Sequence, residues 1–435
     1  MKKLFNKTNL FPAGVCIFMF LFSYAIRLNP GIPFFLILLY LCFYKNFAAI
    51  KNTRLATLSF LFLISFCLGY YLLRQGLAFY FIPVAIIPML SVLLFNNLEI
   101  AYFLSWATCI SLAFLYPEPF KAGFILMTSC ACAILLANQA RKRSQIIRAG
   151  VVAGILQLVG LILLEHFRIN FPQRYLIILI NGLLSGIITL GVLPLFEYIL
   201  QTVTNISLLE LADPDHPALQ RMALEAPGTY QHSLVVGNLS DTACSAIGAN
   251  GLLARIGAYY HDIGKLKKPE YFIENQEIKK NIHDELTPTM SKLIIMNHIK
   301  EGLELAKKYS LSPVLWDFIQ QHHGNSLVYY FYRRALEGKE EDQQISEEGF
   351  RYPGPKPETK EIAIVLLADS VEAATRNLKD PVPDKIEETV RKVINNKFID
   401  GQLDECELTL KDIEKISSVF SKTLNGIYHS RVSYS

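Results

Sequence analysis

The chain has 435 residues, 52% hydrophobic and only 18% charged, against about 25% charged in an ordinary soluble protein, which excludes a single soluble globule. Its formal charge of +4 is the balance of two unlike halves: the first 200 residues carry 15 Lys and Arg against four acidic residues, the rest 27 against 34. The basic excess lies among apolar runs and not on a soluble face, which argues against a nucleic acid polymer as partner.

Lys2, Lys3 and Lys7 precede an apolar stretch that has no AxA-like cleavage site and is followed directly by more apolar runs. The sequence therefore predicts an uncleaved first span. Runs recur over Leu10–Ile26, Ile32–Tyr44, Leu55–Leu73, Leu77–Phe95, Ile100–Tyr116, Ala122–Ala137, Ala149–Leu164 and Tyr175–Leu200. Most approach the roughly 20 residues that cross a hydrocarbon core of about 30 Å. The second is short, so residues 1–200 are expected to form a transmembrane helical domain of seven or eight spans in a lipid bilayer. With eight, alternate loops hold ten Lys and Arg and the opposite loops five, which places both ends in the cytoplasm. Only Glu197, near the cytoplasmic end of the last run, comes close to an intramembrane charge. The spans read as an anchor or sensor bundle and not as a transporter or channel. Six of the eight cysteines fall inside apolar runs, and no disulfide framework or CxxC zinc knuckle is visible.

After Leu200 the texture changes to helices with polar faces. Leu208 to Ala212 followed by Asp213-Pro214 predicts a linker helix within residues 201–220. Ser312 suits an N-cap, Pro313 the first helical position and Gly324 the stop of a helix through Trp316, Phe318 and Ile319. Asp369 lies in the apolar helix that begins at Ile362. No alternating strands or Asn-Gly hairpins occur, so residues 221–435 are expected to be all-helical, with breaks between Gly338 and Pro357. The whole chain is thus expected to be all-α, a polytopic membrane bundle followed by a helical soluble domain.

Five of the nine histidines, His232, His261, His298, His322 and His323, fall beside or among apolar residues, where a polar group needs a partner. One such histidine is normally a satisfied core residue. Five together with Asp262 and Asp369 point to metal, because imidazole and carboxylate are what Mn, Fe or Zn sites use. His283-Asp284 repeats the His-Asp dipeptide in a polar loop before a helix expected from Pro288, where His283 suits contact with a substrate, or support of a metal ligand, more than metal ligation itself. His216 and His429 read as exposed and structural. The aromatic stripe Tyr329 to Tyr332 reads as core or interface ahead of a stacking surface for a base.

Six segments in order carry a family resemblance: Leu224 to Ser233, Tyr259-Tyr-His261-Asp262-Ile-Gly-Lys265, Phe272 to Gln276, His298, Gln321-His322-His323-Gly324, and Leu367-Ala-Asp369-Ser-Val-Glu372. Together they resemble the HD-domain phosphohydrolases, and more narrowly the seven-transmembrane HD proteins, the PgpH type of cyclic di-AMP phosphodiesterase. The resemblance implies that His232, His261 and Asp369 take one divalent metal, that His298, His322 and His323 take a second, and that Asp262 bridges them, with Mn or Fe as the ions. Neighbouring side chains on a regular helix diverge by about 100°, so His322 and His323 can share an ion only if the helix ends or distorts there. Two cations about 3.5 to 4 Å apart can share a water, lower its pKa and polarise a phosphoryl oxygen. Lys265, three residues beyond Asp262, is placed to neutralise charge on that oxygen.

The implied reaction is hydrolysis of cyclic di-AMP to pApA by a metal-bridged hydroxide, in a multi-pass protein of the bacterial inner membrane with its catalytic domain in the cytoplasm. Relatives of this type carry a large extracytoplasmic domain after the first span, whereas here only Arg27 to Gly31 separate the first two runs. The related HD-GYP enzymes, which act on cyclic di-GMP, show Gly-Tyr-Pro soon after the His-His pair. Here Tyr352-Pro-Gly falls in a later loop, which argues against cyclic di-GMP. Two alternatives stay open: an HD nucleotide phosphohydrolase acting on a mononucleotide, and a membrane receptor whose HD domain only binds a nucleotide. Self-association into a homo-oligomer is also open.

Overall fold

The computed structural model describes residues 52–166, 173–276, 281–338 and 345–429. Among these, all named elements are helical, and the one β feature is an isolated bridge between Leu327 and Arg351. The chain is all-α. It divides into two compact units with the boundary between Ile206 and Ser207.

The first unit contains α1 (Asn52–Arg74), α2 (Ile86–Phe95), α3 (Leu98–Ala113), α4 (Pro119–Ala137), α5 (Arg143–Leu164) and α6 (Gln173–Leu200). Of these, α4, α5 and α6, with 19, 22 and 28 residues, are long and apolar enough to cross a membrane. Their outward side chains include Leu135, Leu163, Leu176, Ile187 and Leu195, all exposed, while Ser105, Thr108, Ser185 and Thr189 are buried. Apolar groups outside and hydroxyls inside is the arrangement lipid favours. The buried hydroxyls return to the preceding turn, as Ser105 does to the Ala101 carbonyl at 2.6 Å and Thr189 to that of Ser185 at 2.7 Å. Helices α5 and α6 meet backbone to backbone, since a Cβ on Gly182 would come within 2.6 Å of the Gly150 carbonyl oxygen. The Glu165 carboxylate accepts from Lys121 at 3.1 Å and Arg174 at 2.9 Å, tying one end of α4, α5 and α6 together.

One expected span takes a different form. The run Leu77–Phe95 breaks into a 3₁₀ turn at Phe79–Phe81 and the ten-residue α2, about 15 Å long. Pro83 causes the break, because it disfavours helical backbone at Ile82 and cannot donate to a helical hydrogen bond. The runs Leu10–Ile26 and Ile32–Tyr44 lie outside the described residues, so the expected count of seven or eight crossings rests partly on segments beyond them.

The second unit begins within α7 (Asn205–Leu211) and continues through α8 (Pro217–Glu225), α9 (Pro227–Ile247), α10 (Gly251–Tyr260), α11 (Pro288–Lys308), α12 (Pro313–Gln321), α13 (Tyr329–Glu337), α14 (Lys360–Arg376), α15 (Pro383–Ile399) and α16 (Leu410–His429). Helix α14 is central: eleven of its residues, from Ile362 to Thr375, are buried, and it packs against α9, α10, α12 and α15. Its run over residues 362–368 is apolar on all sides, as suits a helix inside a domain. Its start is fixed by Thr359, whose hydroxyl accepts from the Ile362 amide at 3.3 Å. Asn250 and Thr287 cap α10 and α11 in the same way. Helix α12 begins at Pro313 as expected, although the Ser312 side chain makes no capping bond.

Candidate metal centre

Five segments converge on one buried cluster. His232 sits one turn into α9, and α10 stops at Tyr260, leaving His261 at its C-cap and Asp262 at the entry to a 3₁₀ turn over Ile263–Lys267. Gly264 lets that turn press onto α11, because a Cβ there would overlap the His298 carbonyl. Asp262 is thereby held against the helix that carries His298. Helix α12 ends at Gln321 and Gly324 turns the chain with φ of +53°. Freed from helical geometry, the rings of His322 and His323 lie 4.0 Å apart, centroid to centroid. Asp369 projects from the middle of α14, nearly buried in spite of its charge.

The seven side chains form two groups. Candidate ligand atoms of His232, His261 and Asp369 lie within 4.8 Å of one another, as do those of Asp262, His298, His322 and His323. Asp262 faces both: Oδ2 is 3.1 Å from His261 Nε2 and 3.8 Å from His232 Nε2, while Oδ1 is 3.4 Å from His298 Nε2 and 3.7 Å from His322 Nε2.

The hydrogen bonds fix the tautomers. Nδ1 of His261 donates to the Ala258 carbonyl at 2.6 Å, that of His298 to Ile295 at 2.5 Å, and that of His322 to Phe318 and Ile319 at 3.0 Å. A carbonyl only accepts, so in the neutral rings each Nε2 presents a lone pair to the cluster. His298 Nε2 and His322 Nε2 then face each other at 3.3 Å with Asp262 Oδ1 beside them, acceptors without a shared hydrogen. Protonation is opposed: burial lowers the pKa of His298, and burial with the adjacent His261 brings His322 down to about 3. Burial and the neighbouring His322 ring also hold His323 well below its ordinary value. Burial would raise Asp262, but the facing His261 and Lys265 outweigh it and keep the carboxyl well below the usual range. His261 Nε2 and Asp262 Oδ1 are buried without a hydrogen-bond partner among the described residues. A ring of lone pairs with unpartnered buried acceptors fits divalent cations.

His232 is held differently. Its Nδ1 meets Glu372 Oε2 at 2.6 Å and its Nε2 meets Asp369 Oδ1 at 3.1 Å. A carboxylate behind a histidine orients the ring and raises its basicity toward a metal. Glu372 closes the segment that begins at Leu367 and has no role assigned from the sequence, although its spacing of three from Asp369 puts both on one face of α14. Tyr352, a loop residue in the sequence, is buried and stacks on His323 at 4.3 Å between centroids.

Lys265 is not a solvated lysine. Its Nζ lies 2.8 Å from Asp262 Oδ2 and 2.7 Å from Glu274 Oε1, and Thr229 also donates to Glu274. Burial would lower its pKa, but the two carboxylates outweigh that and raise it. Lys265 also borders a cavity of about 360 Å³ lined by His232, Ile273, Glu274, Asp369, Glu372 and Arg376 among others. The cavity thus opens on the His232/Asp369 group. His283 is not brought to it. That ring is buried, donates from Nε2 to the Tyr271 carbonyl at 2.8 Å and packs on Phe331, so its geometry argues against the substrate contact expected from the loop.

Two family models match the chain: the 7TM receptor with intracellular HD hydrolase over residues 25–204, and the HD domain over residues 229–374. The chain is 43% identical over 318 residues to the cyclic-di-AMP phosphodiesterase PgpH of Bacillus subtilis, covering 72% of this chain and 44% of that protein. It is 38% identical over 368 residues to the PgpH of Listeria monocytogenes, covering 82% and 50%. The chain therefore spans about half the length of these relatives or less. A crystal structure of the L. monocytogenes PgpH HD domain in complex with cyclic-di-AMP is 46% identical, covers 50% of this chain and 100% of that one, and superimposes with a TM-score of 0.47.

Proposed function

The chain belongs to the family of seven-transmembrane receptors with an intracellular HD hydrolase, and from that premise we propose that it is a metal-dependent phosphodiesterase that hydrolyses cyclic di-AMP to pApA. The observation that carries the reading is Asp262, which turns one carboxylate oxygen to each of two histidine groups. His232, His261 and Asp369 would hold one divalent ion, His298, His322 and His323 the other, with Asp262 between them and Mn or Fe as the ions. Such a pair supplies Lewis acidity, activating a shared water and polarising the phosphoryl oxygens.

The chain's own residues do the rest. Glu372 fixes the His232 ring, and the backbone carbonyls of Ala258, Ile295 and Phe318 hold three other imidazoles with Nε2 inward. Lys265 places a buried positive charge on the cavity wall, where it faces negative charge that develops on a phosphoryl oxygen. Attack by water on phosphorus breaks the bond to a ribose 3′ oxygen, which leaves as a hydroxyl after taking a proton. A cyclic dinucleotide cut once becomes linear pApA, carrying a 5′ phosphate. The test is a panel of cyclic di-AMP, cyclic di-GMP and a deoxynucleoside triphosphate given to the purified chain with Mn or Fe. Preferential consumption of cyclic di-AMP supports the reading, and preference for a mononucleotide overturns it.

Proton balance gives a second check. Burial would lower the His232 pKa, but the hydrogen bonds to Asp369 and Glu372 outweigh it and push the pKa up to about 10. In the metal-free chain this interaction contributes stability that is fully present below the ordinary histidine pKa of about 6.5 and is lost as pH rises through about 10. At neutral pH His232 holds a proton that a metal must displace. Adding Mn to the metal-free chain near pH 7.5 is therefore expected to release about one proton per chain, read with an indicator dye in weak buffer. Binding without proton release would contradict the assignment of His232.

The excess of Lys and Arg in alternate loops supports an HD domain on the cytoplasmic side, and the proposed location is the inner membrane of a bacterial cell. A C-terminal reporter that is active only in the cytoplasm is the expected result. Activity confined to the outer side would overturn the orientation and remove the domain from an intracellular nucleotide.

A further inference from the structure

The cavity continues away from the histidines along one face of α14. Asp369 and Arg376 are seven residues apart, nearly two full turns, so both lie on the same side of the helix about 10 Å apart along its axis. Both line the cavity, with Glu372 and Ala373 between them. The charged groups of the lining are already engaged, with one exception. Glu274 holds Lys265, while Glu372 and Asp369 both hold His232. Arg376 is exposed and forms no ion pair or hydrogen bond among the described residues. Among the described lining residues, Lys265 and a protonated His232 are each held by two carboxylates, whereas Arg376 meets none, so its donors are free for a ligand.

Resting on the function proposed above, we propose that Arg376 binds the phosphate of a cyclic dinucleotide that is not being cut, while the other phosphate lies at the His232/Asp369 end. A guanidinium presents a planar fork of donors that matches phosphate oxygens. Helical side chains lean toward the helix N-terminus, which on α14 is the direction of Asp369. The lining acids Glu274, Asp369 and Glu372 would otherwise repel a dianion, and Arg376 offsets that repulsion at the far end of the cavity. A substrate with a single phosphodiester has nothing to place there. Arg376 thus favours dinucleotides over smaller diesters.

The test uses the full chain in detergent and two diesters, cyclic di-AMP and bis(p-nitrophenyl) phosphate, the second with one phosphorus only. Arg376→Ala is expected to raise KM for cyclic di-AMP by about 10 to 100-fold with kcat changed little, as for loss of a hydrogen bond between charged groups. The loss in kcat/KM is expected to exceed that on bis(p-nitrophenyl) phosphate by a similar factor, and Arg376→Lys to recover part of it. Equal losses on both diesters, or an unchanged KM for cyclic di-AMP, would overturn the proposal. Equilibrium dialysis of labelled cyclic di-AMP against the metal-free chain reads binding without turnover. A wild type that binds but never cleaves would sink the phosphodiesterase reading alone, provided Arg376→Ala binds about 10 to 100-fold more weakly. Equal binding by wild type and Arg376→Ala would sink the role of Arg376 alone, and a wild type that neither binds nor cleaves cyclic di-AMP would sink both.

Discussion

Asp262→Ala is expected to abolish turnover and to strip the chain of metal. The carboxylate is buried and gives one oxygen to each histidine group, so no other side chain can replace it as a bridge. Its charge also balances cations that six neutral or acidic side chains would not neutralise alone. The change leaves Lys265 paired with Glu274, so the fold retains that contact. Metal content by elemental analysis and turnover of cyclic di-AMP should fall together, while the helical circular dichroism persists. Two metals per chain and full activity in the variant would show that the cluster is a polar core and not a metal site.

Lys265→Met is expected to act on both activity and stability. The lysine is largely buried between two carboxylates, and its loss leaves Glu274 on the cavity wall with the Thr229 hydroxyl in place of a cation, at a cost of about 1 to 3 kcal/mol. Turnover should fall about 10 to 1000-fold as the cation on the cavity wall disappears. The two effects separate in the double variant Lys265→Met/Glu274→Gln, where the orphaned charge is gone. Stability should largely return there, and turnover should not. If turnover returned with stability, Lys265 would serve the fold alone and its role toward a phosphoryl oxygen would be wrong.

Residue chemistry reads easily from sequence where it is unusual for its surroundings. A histidine or aspartate beside or among apolar residues is costly, and the seven side chains the structure gathers stand out in the sequence for that reason, His261-Asp262 and His322-His323 as pairs. Helices with periodic apolar residues and clear stops, such as α12 and α14, are equally legible. Contacts that join distant segments are not. The ion pair between Glu274 and Lys265, and the stacking of the loop residue Tyr352 on His323, arise only once the chain is folded. The dipeptide His283-Asp284 resembles the ligand pair in sequence, whereas the fold turns the His283 ring to the Tyr271 carbonyl. In the membrane unit, hydropathy alone reads Leu77–Phe95 as a span, and one proline divides it.

The central claim is that water, and not a side chain, cuts one phosphodiester of cyclic di-AMP at this centre. It is tested most directly by running the reaction of the full, metal-loaded chain in water enriched in oxygen-18 and weighing the product. The account predicts pApA with one labelled oxygen on its 5′ phosphate after a single turnover, and no product from Asp262→Ala. Cyclic di-AMP left intact by a chain with both metals bound, or pApA without the label, would contradict it.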